Sequence, residues 1–301
     1  MSSTANPNHK ASEVVYRPAR PEDIPGMADI WLASIRDMFA RNNVVVALPP
    51  VAVIREGYEH IRSTGIFHLA ELDNRIVAVA GATLRDGQWF LSAFWALPEV
   101  QRNKLGMPLL RQIWQAGVNA GAKVFYTWSS IDITAMASYL KLSMFPGYEI
   151  LLFEGEPLRF PGAPEGYTSC EFDLHRATEL DAVVRAARHA ADLHFLISKL
   201  KIPAKQVNFN GEFIGYYLVN RGGIGPVAWT DPQHGVAVLS LAAQEARATS
   251  PSIRVAVLGI NHLALQFALD SGLRLASFAH FMTSASFGRL EQYVPWAPLL
   301  F

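Results

Sequence analysis

Residues 94–114 read FWALPEVQRNKLGMPLLRQIW and indicate the fold more clearly than any other stretch of the chain. An apolar strand stops at Pro98, because proline has no N–H to give to a strand ladder. A short polar loop follows, and the apolar spacing predicts an amphipathic helix from about Leu105 to Ala116. The first N–H groups of a helix have no internal partner, and the helix dipole places partial positive charge there. The loop is therefore predicted to bind an anion such as a pyrophosphate.

Three residues of this loop suit an anion. Arg102 and Lys104 supply positive charge, and Gly106 lets phosphate oxygens approach the main chain closely. A solvated surface loop is the alternative interpretation of the two cations.

The segments on either side alternate between strand and helix patterns. Before the loop we predict a strand ending at Pro18, a helix around Ile30, and strands Phe67–Leu72, Ile76–Leu84 and Trp89–Leu97. After it we predict a strand (Val124–Trp128), a helix (Thr134–Leu142) and a strand (Tyr148–Phe153). This order predicts a mixed α/β fold.

A second series of the same elements follows a Pro/Gly-rich segment, GEPLRFPGAPEG, at residues 155–166. Shifting the chain by 129 residues aligns the halves without a gap, so that Gly106 meets Gly235 and Ala135 meets Ala264. The match predicts a duplicated unit, with one domain over residues 1–155 and another over residues 156–301.

The loop and its surroundings resemble the GCN5-related N-acetyltransferase (GNAT) superfamily, whose pyrophosphate loop is commonly Gln/Arg-x-x-Gly-x-Gly/Ala. Residues 101–106, QRNKLG, occupy that loop, with Lys104 where the family usually has glycine. A second pattern, Asn-x-x-Ala-x-x-x-Tyr, is similar to Asp132-x-x-Ala135-x-x-x-Tyr139. Over the whole chain, the resemblance is to tandem members of the superfamily.

The resemblance implies acetyl-CoA as co-substrate. The strand end at Ala96 and Leu97 would then hold the pantetheine arm, and Tyr139 would protonate the departing thiolate as the catalytic acid. The pyrophosphate would be held by the loop residues Gln101, Arg102, Asn103, Lys104, Leu105, Gly106 and Met107.

The second half departs from these patterns. It has Ala268 where the tyrosine would stand, and the 129-residue shift places Asp231 opposite Arg102. A carboxylate there would repel a pyrophosphate. We therefore predict a degenerate second copy and one acetyl-CoA per chain, in the N-terminal half.

Composition excludes several other classes of protein. Lys plus Arg equals Asp plus Glu at 26 each, so neither nucleic acid nor an anionic membrane is expected as a partner. The polar first ten residues predict no secretory signal, and the single Cys170 suits a reducing cytoplasm. A metal site is not predicted, since His189 and His194 would lie about 140° apart around a helix. A homodimer is compatible with the sequence.

The predicted reaction is acetyl transfer to a small-molecule or peptide amine, by direct attack in a ternary complex. Glu71, Glu99 and His68 are candidate bases, and residues 41–55 are expected to form an acceptor loop. A non-catalytic acyl-CoA-binding or protein-interaction module is the alternative, as is a transferase that uses a longer acyl-CoA. No Gly-x-Ser-x-Gly elbow of a serine hydrolase occurs.

Overall fold

The computed structural model describes residues 14–45, 47–101, 104–160 and 162–301, which form a mixed α/β fold. The strands are β1 Val14–Pro18, β2 Ile66–Leu72, β3 Arg75–Arg85, β4 Gln88–Ala96, β5 Val124–Ser129, β6 Phe145–Gly155, β7 Tyr167–Glu171, β8 Ala204–Phe209, β9 Glu212–Asn220, β10 Gly223–Trp229, β11 Ile253–Leu258, β12 Arg274–Thr283 and β13 Tyr293–Val294. The helices are α1 Ile24–Arg41, α2 Val51–Thr64, α3 Gly106–Asn119, α4 Ile133–Leu140, α5 Leu174–Val184, α6 Ala190–His194, α7 Gly235–Thr249 and α8 His262–Asp270.

The strands join in one sheet, in the order β1-β2-β3-β4-β5-β12-β6-β11-β10-β9-β8-β7, with β13 added to β10. The two central strands exchange places. β12, from the second half, pairs with β5, and β6, from the first half, pairs with β11. Hydrogen bonds therefore cross the predicted boundary after residue 155, and the division of the chain there stays a prediction.

The internal repeat of the sequence has a structural counterpart. The starts of α3 and α7, of β5 and β11, of α4 and α8, and of β6 and β12 are each 129 residues apart. The predicted elements from Gly106 onward are thus present, with ends that differ by a few residues from those expected.

One helical region differs from the sequence-based expectation. Residues 51–64, partly assigned to an acceptor loop, form α2, whose residues Ile54, Tyr58 and Ile61 are buried. Their spacing of four and three residues is the helical signal that the prediction missed. The pattern of residues 179–200 predicts a mostly helical segment, and the structure has the end of α5, then α6 and a π-helical turn, Phe195–Lys199, there.

A buried ion cluster connects the two halves. The carboxylate of Asp192, in α6, accepts hydrogen bonds from Arg85 at 2.7 and 3.0 Å, and its Oδ1 lies 2.7 Å from Nε2 of His60. Arg85 ends β3 and His60 lies in α2, so the Asp192 cluster joins the second half to two elements of the first.

Candidate functional site

The sheet opens between two parallel strands in the first half. β4 and β5 pair from Gln88 and Val124 as far as Leu91 and Thr127. At this last pair, the Thr127 hydroxyl donates to the Leu91 carbonyl at 3.0 Å. β4 continues to Ala96 with β3 as its neighbour on the other side. Beyond Leu91, one edge of β4 therefore faces a cleft, which we call the first cleft.

A bulge in β4 lies where the two strands separate. Ala82 pairs with Leu91 and Gly81 with Ala93, so Ser92 is an extra residue in the strand. Its buried hydroxyl oxygen has no hydrogen-bond partner within the described part of the chain. Nothing in the sequence singled out Ser92, because a bulge depends on pairing with a second strand.

In an antiparallel pair, successive residues of a strand direct their N–H and carbonyl groups to opposite edges, and this shows which groups of β4 face the cleft. The Leu97 N–H donates to the Val77 carbonyl on β3, so the main-chain groups of Ala96 and Phe94 face the opposite edge. The N–H groups of Phe94 and Ala96 and the Phe94 carbonyl are thus directed at the first cleft.

Two of the main-chain groups of Ala96 and Leu97 that were predicted to hold the pantetheine arm are already hydrogen-bonded within the protein. The Ala96 carbonyl accepts hydrogen bonds from the Ser34 hydroxyl at 2.8 Å and from the Gln101 amide at 2.9 Å. Together with the Leu97 N–H bound to β3, these contacts leave Phe94 as the residue with both main-chain groups on the cleft edge.

The predicted anion loop follows the end of β4. Its residues Arg102 and Asn103 lie outside the described residues. Lys104 has φ of 60°, the left-handed conformation that glycine adopts most easily. At the position where the family usually has glycine, the lysine thus has a conformation that glycine would favour.

Helix α3 begins directly after this loop. Leu105 is its N-cap, and no described side chain satisfies the first N–H groups. Gly106 and Met107 supply N–H groups at this helix start, whereas Pro108 has none. A Cβ on Gly106 would lie 3.0 Å from the Phe94 ring, so this glycine also lets α3 pack closely against β4.

Tyr139, the predicted catalytic acid, packs near Phe94 at the edge of the first cleft. Its ring centroid is 6.1 Å from that of Phe94, and the residue is 6% exposed. Burial raises the pKa of the Tyr139 hydroxyl, and the Asp132 carboxylate raises it further. The hydroxyl therefore stays protonated at neutral pH and is a hydrogen-bond donor.

Arg41, the first residue of the predicted acceptor loop, ends α1 and contacts both the anion loop and the start of α4. Its guanidinium lies 3.5 Å from Oε1 of Gln101 and 3.4 Å from Oδ2 of Asp132, the N-cap of α4. It also bonds Asp37 at 2.8 Å. No sequence signal pointed to this contact, because α1, the loop and α4 meet only in the folded chain.

The three candidate bases lie elsewhere. Glu71 and His68 are on β2, which β3 separates from β4. Glu71 is bound to Arg17 at 2.6 Å. Burial lowers the pKa of His68.

Glu99 follows β4 but is bound to Arg75 at 2.9 Å. The structure therefore brings none of the three candidate bases to the edge of the first cleft.

Two further searches cover the described ranges only. No group of three or more His, Cys, Asp or Glu side chains there has the arrangement of a metal site. Every helix in those ranges is too short or too polar to span a bilayer.

Comparison with known proteins confirms the resemblance. The sequence profile of the acetyltransferase (GNAT) family matches residues 32–144, a segment that contains the first cleft, its loop and Tyr139. Acyl transfer is thus the class of reaction that this family match supports. No curated protein gives a significant sequence match.

Solved structures show that the GNAT fold extends over the rest of the chain. A protein from Pyrococcus horikoshii with a proposed acetyltransferase function has a TM-score of 0.76 at 17% identity, covering 100% of this chain and 99% of that one. A tandem GNAT protein from the clavulanic acid biosynthesis pathway has a TM-score of 0.61 at 12% identity, with 91% and 100% covered. A GNAT protein from Sphaerobacter thermophilus has a TM-score of 0.61 at 16% identity, with 90% and 95% covered.

Proposed function

We propose that this chain is an N-acetyltransferase that moves an acetyl group from acetyl-CoA to a small-molecule or peptide amine. The single observation that carries the proposal is the first cleft, whose unpaired β4 edge leads to the uncapped start of α3 inside the matched segment. A strand edge can bind the amide groups of a pantetheine arm, and a helix start can bind a pyrophosphate.

Acetyl-CoA would bind along these groups. The pantetheine amides would bond to the Phe94 N–H and carbonyl and to the Ala96 N–H. The Ala96 carbonyl and the Leu97 N–H are already bonded within the protein and would not take part. The N–H groups of Gly106 and Met107 would hold the pyrophosphate, with Lys104 supplying charge. Gln101 would position the strand end rather than contact phosphate, since its amide is bound to Ala96.

Transfer would occur by direct attack within a ternary complex. The amine nitrogen attacks the acetyl carbonyl carbon, the C–S bond breaks, and the CoA thiolate leaves while the nitrogen loses a proton. Glu71, Glu99 and His68 lie away from the cleft edge, so we propose that solvent receives this proton through a water chain.

Tyr139 would stabilise the leaving thiolate. A thiol has a pKa of about 8.5, far below that of a buried tyrosine, so full proton transfer from Tyr139 would be unfavourable. A hydrogen bond from its protonated hydroxyl to the developing thiolate is the better role. The thiolate would then take its proton from water.

The test combines binding and turnover. We expect acetyl-CoA to raise the melting temperature, because a ligand at a hundred times its Kd adds about 2.7 kcal/mol to the free energy of unfolding. We also expect CoA release with some members of an amine panel. An unchanged melting temperature at millimolar acetyl-CoA would contradict the proposal. Binding without CoA release would favour the acyl-CoA-binding module, and preference for longer chains in competition would identify a different acyl donor.

A further inference from the structure

The sheet has a second opening in the other half. β10 and β11 pair in parallel only at Gly223 and Ile224, opposite Arg254 and Val255. β10 then continues to Trp229, as β4 continues past Leu91. We call this opening the second cleft.

A later part of the chain fills the second cleft. Residues Gln292–Pro295, here called the closing segment, lie along the free edge of β10, where Val294 pairs with Val227 and Tyr293 with Ala228. The Gln292 side chain donates to the Trp229 carbonyl at 3.1 Å. The whole segment is buried. The edge of β10 is thus paired with protein.

The edge that the closing segment occupies corresponds to the open edge of the first cleft. Trp229 ends β10 as Ala96 ends β4, because in both halves the N–H of the next residue donates to the antiparallel neighbouring strand. Val227, two residues earlier, is thus the counterpart of Phe94, and it pairs with Val294. Gln292 binds the Trp229 carbonyl as Gln101 binds that of Ala96.

Asn261 holds the closing segment in place. Its Oδ1 accepts the Ala264 N–H at 3.0 Å, which caps α8, and its Nδ2 donates to the Tyr293 carbonyl at 3.0 Å. The counterpart 129 residues earlier is Asp132, whose carboxylate caps α4 and has no N–H to donate. The amide in the second half thus supplies a bond that the carboxylate in the first half does not.

The loop before α7 also bonds to its own half. Only residues 230–234 separate β10 from α7, whereas residues 97–105 separate β4 from α3. The Asp231 carboxylate accepts the Gln233 N–H at 3.0 Å, and the buried His234 ring lies 2.9 Å from the Tyr167 hydroxyl. The Gln233 N–H and the His234 ring are therefore bound within the protein, whereas the start of α7 has no side-chain cap, like that of α3.

We propose that the second cleft is a binding site for an extended peptide strand, and that the closing segment of the same chain is its ligand. One consequence rests on the proposed function, namely that the chain binds one acyl-CoA, in the first cleft. The second consequence is that the segment after residue 295 is held against the first half. Phe301, six residues after the closing segment, has its ring centroid 5.7 Å from Phe90 and 5.4 Å from Tyr126 in the first half. Occupation of the second cleft thus holds this part of the chain against β4 and β5.

Hydrogen exchange tests the occupied cleft without any acyl-CoA. Asn261→Asp keeps the cap of α8 and removes the donor to Tyr293, and Gln292→Met keeps the side-chain length and removes the donor to Trp229. We expect the amides of residues 293–294 and 227–229 to exchange about five- to tenfold faster in either variant, the effect of one hydrogen bond. Amides of β5 should be unchanged.

Asp173→Asn is the matched control, because Asp173 caps α5 through the same type of contact, on an exposed helix start. Its exchange at residues 293–294 should equal that of the unmodified protein. The proposed strand site would be overturned if the amides of residues 293–294 were unprotected in the unmodified protein. It would also be overturned if exchange were unchanged in both Asn261→Asp and Gln292→Met.

Calorimetry with acetyl-CoA tests the stoichiometry separately. One site per chain is expected, and two sites would overturn the exclusion of acyl-CoA from the second cleft while leaving the proposed reaction intact. Absence of binding would instead contradict the proposed function, and the exchange experiment would still decide whether the closing segment occupies the second cleft.

Discussion

The two clefts differ in what pairs with their exposed strand edges. In the first, the β4 edge past Leu91 has main-chain groups directed into the opening, and in the second, the β10 edge is paired with the closing segment. Both arise in the same way, by divergence of two parallel strands. Buried main-chain N–H and carbonyl groups need partners, so an edge that the protein itself completes has no groups left for a ligand. A shared fold therefore leaves the binding capacity of each half undecided.

The largest expected effect concerns the joining of the halves that carry the two clefts. Asp192→Asn removes the buried negative charge beside Arg85 and His60, and we expect a loss of about 3–5 kcal/mol in the free energy of unfolding. Denaturant unfolding measures this. Asp173→Asn, on the surface, should change stability little. A loss as small in Asp192→Asn would show that the Asp192 cluster does not stabilise the joined halves.

The same ion cluster predicts a dependence on pH. Burial opposes ionisation of Asp192, but the hydrogen bond from His60 and the charge of Arg85 outweigh it and hold the pKa of Asp192 below its ordinary value. As the pH falls, the Asp192 carboxylate is therefore protonated in the unfolded chain at a higher pH than in the folded chain. The stability difference between the unmodified protein and Asp192→Asn should be full near pH 7 and shrink below about pH 4. A difference that grew on acidification would contradict this assignment.

The next prediction concerns the Tyr139 hydroxyl of the first cleft, which the second half lacks because it has Ala268 at the corresponding position. Tyr139→Phe keeps the ring beside Phe94 and deletes the donor. We expect kcat and kcat/KM to fall together by about a hundredfold, at the low end for removal of one hydrogen-bond donor to a developing charge, because a thiolate leaves readily. Acetyl-CoA affinity and melting temperature should change little. Tyr217→Phe, in the second half, is the control, and normal turnover by Tyr139→Phe would assign Tyr139 to packing alone.

A matched pair of glycines tests the clefts directly. Gly106→Val and Gly235→Val each crowd an aromatic ring at a helix start, and both should lower stability by about 1–3 kcal/mol. Only Gly106→Val should also abolish acetyl-CoA binding, measured by calorimetry on the folded fraction. Loss of binding in Gly235→Val instead would reverse the assignment of the two clefts.

The smallest expected effect concerns the loop. Lys104→Gly relieves a left-handed conformation, so stability should rise by less than about 1 kcal/mol, while loss of the exposed charge should weaken acetyl-CoA binding about two- to fivefold. Lys201→Gly is the control, because Lys201 has φ of 56° in the second half. The Lys201→Gly variant should gain a similar amount of stability, and its affinity for acetyl-CoA should not change. Equal affinity loss in both variants would show that Lys104 does not meet the pyrophosphate.

Much of the fold could be predicted because it depends on local patterns. Apolar spacing located α3, β5, α4 and β6 in the first half, and the 129-residue repeat located their counterparts in the second. The prediction missed α2, although Ile54, Tyr58 and Ile61 carry a helical spacing.

The candidate site could be predicted only in part. The loop and Tyr139 were proposed because their spacing along the chain resembles a family pattern, and the structure places the Tyr139 ring 6.1 Å from that of Phe94. Ser92 was missed, and Arg41 was named only as the start of an acceptor loop, because their surroundings come from distant segments. Titratable residues such as Glu71 carry no sequence mark of which strand edge they face, so the sequence named candidate bases without locating them.

By itself the sequence determined most of the strands and helices, the internal repeat and the position of the loop that is predicted to bind an anion, because these follow from spacing and turn chemistry between near neighbours. Tertiary structure alone decided which cleft is open. The exchange of β6 and β12 and the insertion of residues 292–295 beside β10 join segments far apart in the chain. Such pairings depend on which main-chain groups remain unpaired after folding, and local sequence does not encode that choice.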